Sequence, residues 1–316
     1  MIQSVAIVGS GYMGGGIAQV LALAGARVTL ADVSTEVAAA NRERLIAEAG
    51  VFAADGLFPA DAAERIAAAV TSAGIEQAVA DVDFVEEAVP ERLELKHETL
   101  RRISAACRPD AVIGSNTSTI AIGALAEAVE RPERFLGVHF SNPAPFIPGV
   151  ELIAHAGTDD AAVTAVAELL DAAGKHGVRV ADVTGFVLNR LQYALFSEAA
   201  RLADEGVATP EAIDTIVRTT FGYRLPFFGP FAVADMAGLD VYDFCYRSLG
   251  AAYPDRFATP SALSSHVEAG ELGVKSGRGF LAMDEQLLPE LVAYRNRAYA
   301  AMAELLEQLG PAPTRY

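Results

Sequence analysis

The sequence predicts an α/β protein in which a doubly wound, mostly parallel sheet is followed by a second, all-helical C-terminal domain. In the first half, short β-branched runs alternate with helical patterns, as in crossover units that build a parallel sheet. From about residue 185, long helical patterns succeed one another. The chain of 316 residues is longer than one hydrophobic core usually serves, so we expect two domains.

The predicted strands of the first half are short apolar segments. They are Ser4–Val8, Ala26–Ala31, Asp83–Val89, Ala111–Ser115, Phe135–Phe140 and Val150–Ile153. A glycine-rich turn and the helical pattern Gly15–Ala24 come after the first of them. Alanine-rich helical stretches occupy residues 36–70, which predicts a helical pair inserted between strands.

The second half is predicted to consist of long helices. The patterns are Phe186–Asp204, Pro210–Thr219, Ala232–Gly250 and Leu288–Leu309. Thr209-Pro210 and Thr259-Pro260 are typical of helix starts, with threonine as the cap and proline at the first helical position. We place a short hinge near residues 182–185, so that the domains comprise residues 1–183 and 184–316.

Composition and charge exclude several classes of partner. The net charge of −17 argues against nucleic acid and anionic membranes. No apolar run reaches the roughly 18 residues of a membrane span, and a strand that begins near Ile2 leaves no room for a signal peptide. Cys107 and Cys245, the only cysteines, lie far apart without metal-ligand spacing. We therefore expect no metal site, no disulfide and a cytoplasmic location.

The segment GSGYMG at residues 9–14 comes directly after a strand and opens a helix, which favours a dinucleotide site. Gly9 suits a tight turn, Gly11 lets the backbone approach a pyrophosphate, and Gly14 permits close packing of helix and strand. Asp32 ends the second strand, where a carboxylate binds ribose hydroxyls and repels a 2′-phosphate, so NAD is predicted over NADP. The alternative is a glycine turn with an unrelated surface aspartate. The predicted cofactor contacts here are Gly9, Gly11, Tyr12, Met13, Gly14 and Asp32.

A histidine and a glutamate stand twelve residues apart in GVHFSNPAPFIPGVELI. Glu151 is a charge within an apolar run, which is costly without a partner. A nearby His139 imidazole would supply that partner, and the carboxylate would fix the tautomer of the ring. Such a pair suits the removal of a hydroxyl proton while hydride leaves for a nicotinamide. The alternative is a satisfied core histidine and an edge-strand glutamate.

Two further segments carry candidate polar groups. Ser118, in SNTST after a strand, offers a hydroxyl for the substrate oxygen, although a polar turn or a helix cap would have the same sequence. Asn189, inside the apolar helical pattern of TGFVLNRL, offers an amide to an oxygen that changes from hydroxyl to carbonyl. The alternative for Asn189 is a buried side chain that only bonds the main chain.

Together these motifs resemble the 3-hydroxyacyl-CoA dehydrogenase family. The similar segments are GSGYMGGGIAQVLALAG, AVPE at 88–91, SNTS at 115–118, HFSNPAP at 139–145, VE at 150–151, GFVLNR at 185–190, FFGPFAVADMAGLD at 227–240 and LGVKSGRGF at 272–280. The resemblance implies a Rossmann-like NAD-binding domain and a helical domain that usually mediates dimerisation, so a homodimer is expected. By motif, Ser118, His139, Glu151 and Asn189 match the catalytic set of the family.

The same resemblance implies further cofactor contacts. Glu91 and Lys96, in AVPERLELK, match positions near the nicotinamide ribose. The alternative for Lys96 is an exposed helix lysine.

The chain departs from the family pattern at the expected thioester contacts. The family usually has a lysine just before the VE dipeptide, where this chain has Ile147-Pro148-Gly149. Residues 45–64 of the inserted pair contain no lysine and several acids. Arg42, Arg44 and Arg65 are possible substitutes, although arginines on an alanine-rich pair are commonly solvated.

Two enzyme hypotheses therefore remain, with one from another class. The substrate is a hydroxyacyl-CoA, or it is a small free hydroxy acid or polar alcohol, as for gulonate- and carnitine-type relatives. In the second case Arg224 is the candidate for a substrate carboxylate, since guanidinium binds carboxylate in a fork. An ordinary surface arginine is the alternative. The third hypothesis is a non-catalytic NAD-binding sensor or structural protein, which would not need the four polar residues together.

Overall fold

The computed structural model describes residues 2–282 and 285–313. It forms two compact units, which divide between Leu195 and Phe196. The domain boundary after residue 183 stays a prediction. In the described residues, no helix has both the length and the apolar character of a membrane span, and no cluster of histidine, cysteine and acidic side chains is arranged for a metal ion.

The first unit is built on one eight-stranded sheet. The strands are β1 (Ser4–Val8), β2 (Arg27–Ala31), β3 (Val70–Ser72), β4 (Phe84–Glu87), β5 (Val112–Ser115), β6 (Phe135–Phe140), β7 (Gly149–Ala154) and β8 (His176–Ala181). Their order in the sheet is β3-β2-β1-β4-β5-β6-β7-β8, and only the β6–β7 pair is antiparallel. The mostly parallel, doubly wound sheet is therefore confirmed. The short β3 and the exposed edge strand β8 have no strong apolar run and were not predicted.

Helices cover both faces of this sheet. They are α1 (Tyr12–Leu23), α2 (Thr35–Ala54), α3 (Ala62–Ala69), α4 (Ile75–Val79), α5 (Leu93–Ala106), α6 (Ile122–Ala126) and α7 (Asp160–Ala172). Residues of α1, α2, α3 and α7 share one buried apolar cluster, and residues of α4, α5 and α6 share another. The predicted helical pair is α2 and α3, and the Ser34 hydroxyl caps α2 by accepting from the Val37 N–H.

The remaining helices confirm an all-helical second half and correct two predictions. They are α8 (Leu188–Asp204), α9 (Pro210–Thr219), α10 (Pro230–Ala237), α11 (Leu239–Ala252), α12 (Ser261–Glu268) and α13 (Leu288–Leu309). The single helix predicted over Ala232–Gly250 is wrong, because Gly238 at φ 102° separates α10 from α11. Thr209 caps α9 as predicted. Thr259 does not cap α12, where the extended Pro260 takes the cap position.

A carboxyl group without a partner lies inside the sheet. Glu86 on β4 is fully buried beside Ile7 and Gly114, and neither of its oxygens has a hydrogen-bond partner among the described residues. Burial, and after it the charge of neighbouring Glu87, raise the pKa of Glu86 well above the usual glutamate range. Gly114 makes the room, because an added Cβ there would collide with Glu86 and would lie 2.9 Å from the Phe84 ring.

Glu86→Gln should flatten the pH dependence of the unfolding free energy. Folded Glu86 keeps a proton that the unfolded chain releases above about pH 4.3. Glu86 therefore begins to lower the unfolding free energy of the parent at that pH. The loss grows by about 1.4 kcal/mol per pH unit until the pH reaches the pKa of Glu86 in the folded state. Denaturant unfolding between about pH 5 and pH 7 should show the variant gaining stability over the parent as pH rises. The exposed Glu168→Gln is the matched control, and parallel curves for Glu86→Gln and the parent would contradict a neutral Glu86.

Candidate active site

The glycine turn after β1 has the geometry of a phosphate cradle. Gly9 adopts φ +101°, and a Cβ added there would lie 2.6 Å from the Ala88 backbone. A Cβ on Gly14 would collide with the Gly9 carbonyl, whereas the same position on Gly11 is open. Side chains are thus excluded where strand and helix meet, and the backbone at Gly11 stays accessible to a ligand.

The start of α1 supplies positive electrostatic potential at this turn. Gly11 is the N-cap, and the N–H groups of the first turn, which includes Tyr12 and Met13, have no intrahelical acceptor. Arg44 adds a guanidinium whose Nη2 lies 3.4 Å from the Ser10 carbonyl oxygen and 3.2 Å from that of Gly11. These groups fit a pyrophosphate.

Asp32 lies directly after β2 and is tied to the glycine turn. Its Oδ2 accepts from the Ser10 N–H at 2.7 Å and from the Ser10 hydroxyl at 2.6 Å, and its Oδ1 accepts from the Val33 N–H. Asn41 donates in turn to the Ser10 hydroxyl. A carboxylate has about four acceptor sites, so Asp32 retains capacity for ribose hydroxyls. It lines a cleft of about 730 Å³ together with the glycine turn.

The predicted histidine and glutamate do meet. β6 and β7 are antiparallel neighbours, and their register sets His139 directly opposite Glu151. Nδ1 of His139 lies 2.8 Å from Oε2 of Glu151. The histidine is 5% exposed and the glutamate side chain 12%, so the pair is largely shielded from water.

The second oxygen of Glu151 holds the beginning of α8. Oε1 accepts from the Val187 and Leu188 N–H groups at 2.9 and 3.0 Å, where a carboxylate satisfies otherwise unpaired helix donors. Just before them, Phe186 is buried with φ 46°, a strained value for a residue other than glycine, and its ring lies 5.9 Å from that of His139. This turn explains why the helix begins two residues after the predicted Phe186.

Ser118 is positioned from two sides. Oε1 of Glu91 accepts from the Ser118 and Thr119 N–H groups and from the Thr117 hydroxyl. Partial burial raises the pKa of Glu91, but these hydrogen bonds and the Lys96 charge outweigh it and leave the pKa below the usual range. Glu91 is therefore an ionised anchor for the turn.

Asn189 reaches the same turn from α8. Its Nδ2 donates to the Ser118 carbonyl at 2.8 Å. One amide hydrogen is thus committed to the main chain, as the alternative interpretation expected, while the other hydrogen and Oδ1 remain available. Both residues line a cavity of about 520 Å³ that also contains His139.

This cavity adjoins the cleft beside the glycine turn. Met13, Asn116 and Ser118 line both of them. The imidazole therefore lies in a cavity that adjoins the cleft beside the glycine turn.

The interpretation of Lys96 as an exposed helix lysine is wrong. It is 1% exposed, and its Nζ donates to both oxygens of Glu87 at 2.9 and 3.1 Å and to the Val89 carbonyl. Oε2 of Glu91 lies 3.5 Å away. The ammonium thus supports the acids around the cleft, and a direct contact with the cofactor stays a prediction.

Several residues of the cavity were not predicted. Asn116, Ser141, Asn142 and Gln192 line it. Asn116 stands in the SNTST motif and accepts from the Phe140 N–H, so it ties the end of β6 to that of β5. Gln192 comes three positions after Asn189 on α8, a spacing that places both on one helix face and was available from the sequence.

Arg224 lies in the second compact unit. It is exposed, in the turn after α9. Its proposed role toward a substrate carboxylate stays a prediction.

Lys96→Met should lower the unfolding free energy by about 3–5 kcal/mol, because it leaves Glu87 buried without its counter-charge. Combining it with Glu87→Leu should restore part of the loss. Lys275→Met, which removes an exposed lysine paired with Asp240, is the control and should change stability little. Chemical denaturation measures all variants, and a Lys96→Met protein as stable as the control would contradict the buried pair.

Comparisons with known proteins agree on one family over nearly the whole chain. The family model "3-hydroxyacyl-CoA dehydrogenase, NAD binding domain" matches residues 4–183, and "3-hydroxyacyl-CoA dehydrogenase, C-terminal domain" matches residues 185–283. A 5-formyl-3-hydroxy-2-methylpyridine 4-carboxylate 5-dehydrogenase of Mesorhizobium japonicum is 35% identical over 97% of this chain and 99% of its own. A probable 3-hydroxybutyryl-CoA dehydrogenase of Bacillus subtilis is 33% identical over 90% of this chain and 99% of its own.

The solved structures lead to the same conclusion. A 3-hydroxyacyl-CoA dehydrogenase from Archaeoglobus fulgidus superposes with a TM-score of 0.80 at 31% identity, over 98% of this chain and 99% of that one. The resemblance, the predicted NAD cofactor and the predicted enzyme class are thereby confirmed. The chain belongs to the 3-hydroxyacyl-CoA dehydrogenase family, as an NAD-dependent oxidoreductase that acts on CH–OH groups.

Proposed function

We propose that this chain interconverts a secondary alcohol and its carbonyl compound with His139 as the proton-transferring group and Glu151 as its orienting acid. The observation that carries the proposal is the 2.8 Å contact between His139 Nδ1 and Glu151 Oε2. A carboxylate accepts only, so Nδ1 carries the proton and Nε2 presents a lone pair. Nε2 is then the atom that takes the substrate hydroxyl proton.

Ser118 and Asn189 hold the reacting oxygen in this proposal. Both line the cavity with His139, and the Asn189–Ser118 hydrogen bond fixes their separation. The Ser118 hydroxyl and the free Asn189 N–H donate to an oxygen that gains negative charge as its proton leaves.

The cofactor is held by the residues of the cleft. NAD, when bound, supplies the hydride acceptor. Gly9, Gly11 and Gly14 admit the pyrophosphate to the backbone, Tyr12 and Met13 contribute the first turn of α1, and Asp32 accepts from ribose hydroxyls. Glu91 borders the cleft near Ser118 and suits the nicotinamide ribose. Lys96 lies next to Glu91.

The first candidate substrate is a 3-hydroxyacyl-CoA. Both domain models carry this description, and the Bacillus subtilis relative is named for 3-hydroxybutyryl-CoA. A linear hydroxyacyl group suits a cavity of about 520 Å³ that is lined by His139.

The second candidate is a small free hydroxy carboxylate, and the inserted helical pair favours it. Arg42 donates to the Val70 and Ala67 carbonyls, and Arg65 donates to a carbonyl of α1. Arg44 is engaged by Glu48 and by the glycine turn. The arginines of the helical pair are thus already bound to groups of the protein itself. In addition, the Mesorhizobium japonicum relative is named for a pyridine carboxylate. In this case Arg224 is the proposed partner of the carboxylate.

NADH formation measured side by side distinguishes the two candidates. The purified chain is given NAD with 3-hydroxybutyryl-CoA, with free 3-hydroxybutyrate and with hydroxylated aromatic carboxylates. A kcat/KM at least about 100-fold higher for the thioester assigns the first substrate class, and the reverse ratio assigns the second. Binding of NAD with no turnover of either class would support a non-catalytic sensor and contradict the proposal.

Assembly and location are part of the same proposal. Large aromatic side chains of the second unit are exposed, among them Phe196 at 67% and Phe244 at 71%. Such side chains are typical of surfaces that are covered by another subunit, and a homodimer would cover them. Cys107 and Cys245 are unpaired, as is usual in a reducing cytoplasm.

His139→Gln should lower kcat by about 10²–10⁴-fold, because glutamine fills the space without accepting the substrate proton at neutral pH. Affinity for NADH, measured by fluorescence titration, should stay within about twofold, since His139 does not line the cofactor cleft. Turnover near that of the parent would refute the role of His139.

A further inference from the structure

The loop of residues 141–148, between β6 and β7, forms one wall of the catalytic cavity. Ser141, Asn142 and Ile147 line that cavity beside His139. The loop contains three prolines, which have no N–H, so it is poor in donors for its own carbonyls. The Phe146 and Ile147 N–H groups both donate to the Pro143 carbonyl. Other carbonyls of the loop need donors from elsewhere in the fold.

One lysine supplies three of those donors, and the His176 N–H supplies another to the Pro148 carbonyl. Nζ of Lys175 donates to the carbonyls of Ala144, Pro145 and Ile147 at 2.7, 3.1 and 2.8 Å. An ammonium has three N–H groups, so all of them are used on this loop. The lysine is 5% exposed.

Among the residues that the structure describes, no acid offsets the charge of Lys175. Burial lowers its pKa, and no carboxylate of the described residues raises it. A buried cation of this kind is costly, and the three carbonyl dipoles are what stabilise it. The end of α7 fixes the position of Lys175, because Gly174 adopts φ +67° and the Lys175 N–H donates to the Leu170 carbonyl at 2.9 Å.

The outer side of the loop is also held. The Phe146 ring lies 5.1 Å from that of Phe52 and 5.9 Å from that of Phe58, both beside or on the inserted pair. Pro145 packs on α1, where a Cβ at Gly16 would lie 3.0 Å from its Cδ. The loop thus has packing contacts on its outer side and the Lys175 ammonium beneath its backbone, while Asn142 and Ile147 face the cavity.

We propose that Lys175 is a positioning residue for the substrate: its ammonium gathers three carbonyls of the 141–148 loop and so sets Asn142 and Ile147 beside His139. The proposal rests on the proposed function, because the substrate is the molecule that this wall contacts. Lys175 itself does not contact the reacting atoms in this proposal.

The test compares Lys175→Met, which keeps most of the length of the side chain without its donors, with Lys275→Met as the matched control at an exposed lysine. NADH titration counts the folded sites, and steady-state kinetics on those sites gives KM and kcat. We expect Lys175→Met to retain NADH affinity within about twofold and to raise the substrate KM by about tenfold or more. The control should match the parent in both.

Hydrogen exchange of the Phe146 and Ile147 amides supplies a readout that does not need turnover. Both should exchange faster in Lys175→Met than in the parent, while the amides of β1 should not change. If the parent turns over no hydroxy substrate, the proposed function fails, and the exchange result still decides whether Lys175 holds the loop. Should Lys175→Met not fold, Lys175→Gln, which retains two donors, takes its place under the same criteria.

Two results would overturn the proposal. One is a Lys175→Met protein whose KM is unchanged and whose turnover falls only in proportion to its loss of NADH-binding sites. A purely structural lysine would give that result. The other is unchanged exchange of the two loop amides.

Discussion

The geometry of the site depends on the two oxygens of Glu151. One binds Nδ1 of His139, and the other accepts the Val187 and Leu188 N–H groups at the start of α8. The same carboxylate therefore orients the imidazole and anchors the helix that carries Asn189. Charge-assisted hydrogen bonds to free helix donors are among the stronger polar contacts in proteins, so they hold the Glu151 side chain firmly in this shielded place.

Glu91 has a corresponding position on the cofactor side. Its Oε1 fixes the turn that carries Ser118, and its other oxygen faces Lys96 at the border of the cleft. Asn189 closes the arrangement by donating to the Ser118 carbonyl. Hydrogen bonds thus connect the turn of Ser118 to α8, and Glu151 connects α8 to the ring of His139, so the fold itself sets the separation between that ring and Ser118.

Features that depend on local period and motif could be predicted from the sequence, whereas most features set by tertiary packing were missed. The exception is the pair of His139 and Glu151, which was predicted because a charge within an apolar run needs a partner. The strands carrying His139 and Glu151 have clear apolar runs, but only their antiparallel register brings the two side chains opposite each other, and no local pattern encodes that register. The break at Gly238 was missed because a single glycine within a helical pattern is often tolerated. Lys96 and Lys175 are charged residues in the interior, where burial depends on partners elsewhere in the fold, namely Glu87 and the carbonyls of the proline-rich loop. The glycine turn could be predicted because strand, turn and helix are contiguous.

The contact between Glu86 and Gly114 restricts the order in which this part of the sheet can evolve. A methyl group cannot be added at Gly114 while the long side chain of Glu86 occupies that space, and shortening Glu86 alone leaves a void in the centre of the sheet. The two positions are therefore epistatic, and a side chain can be added at Gly114 only after the acid has been shortened and the Phe84 ring has shifted. A lineage that keeps the glutamate has to keep the glycine with it.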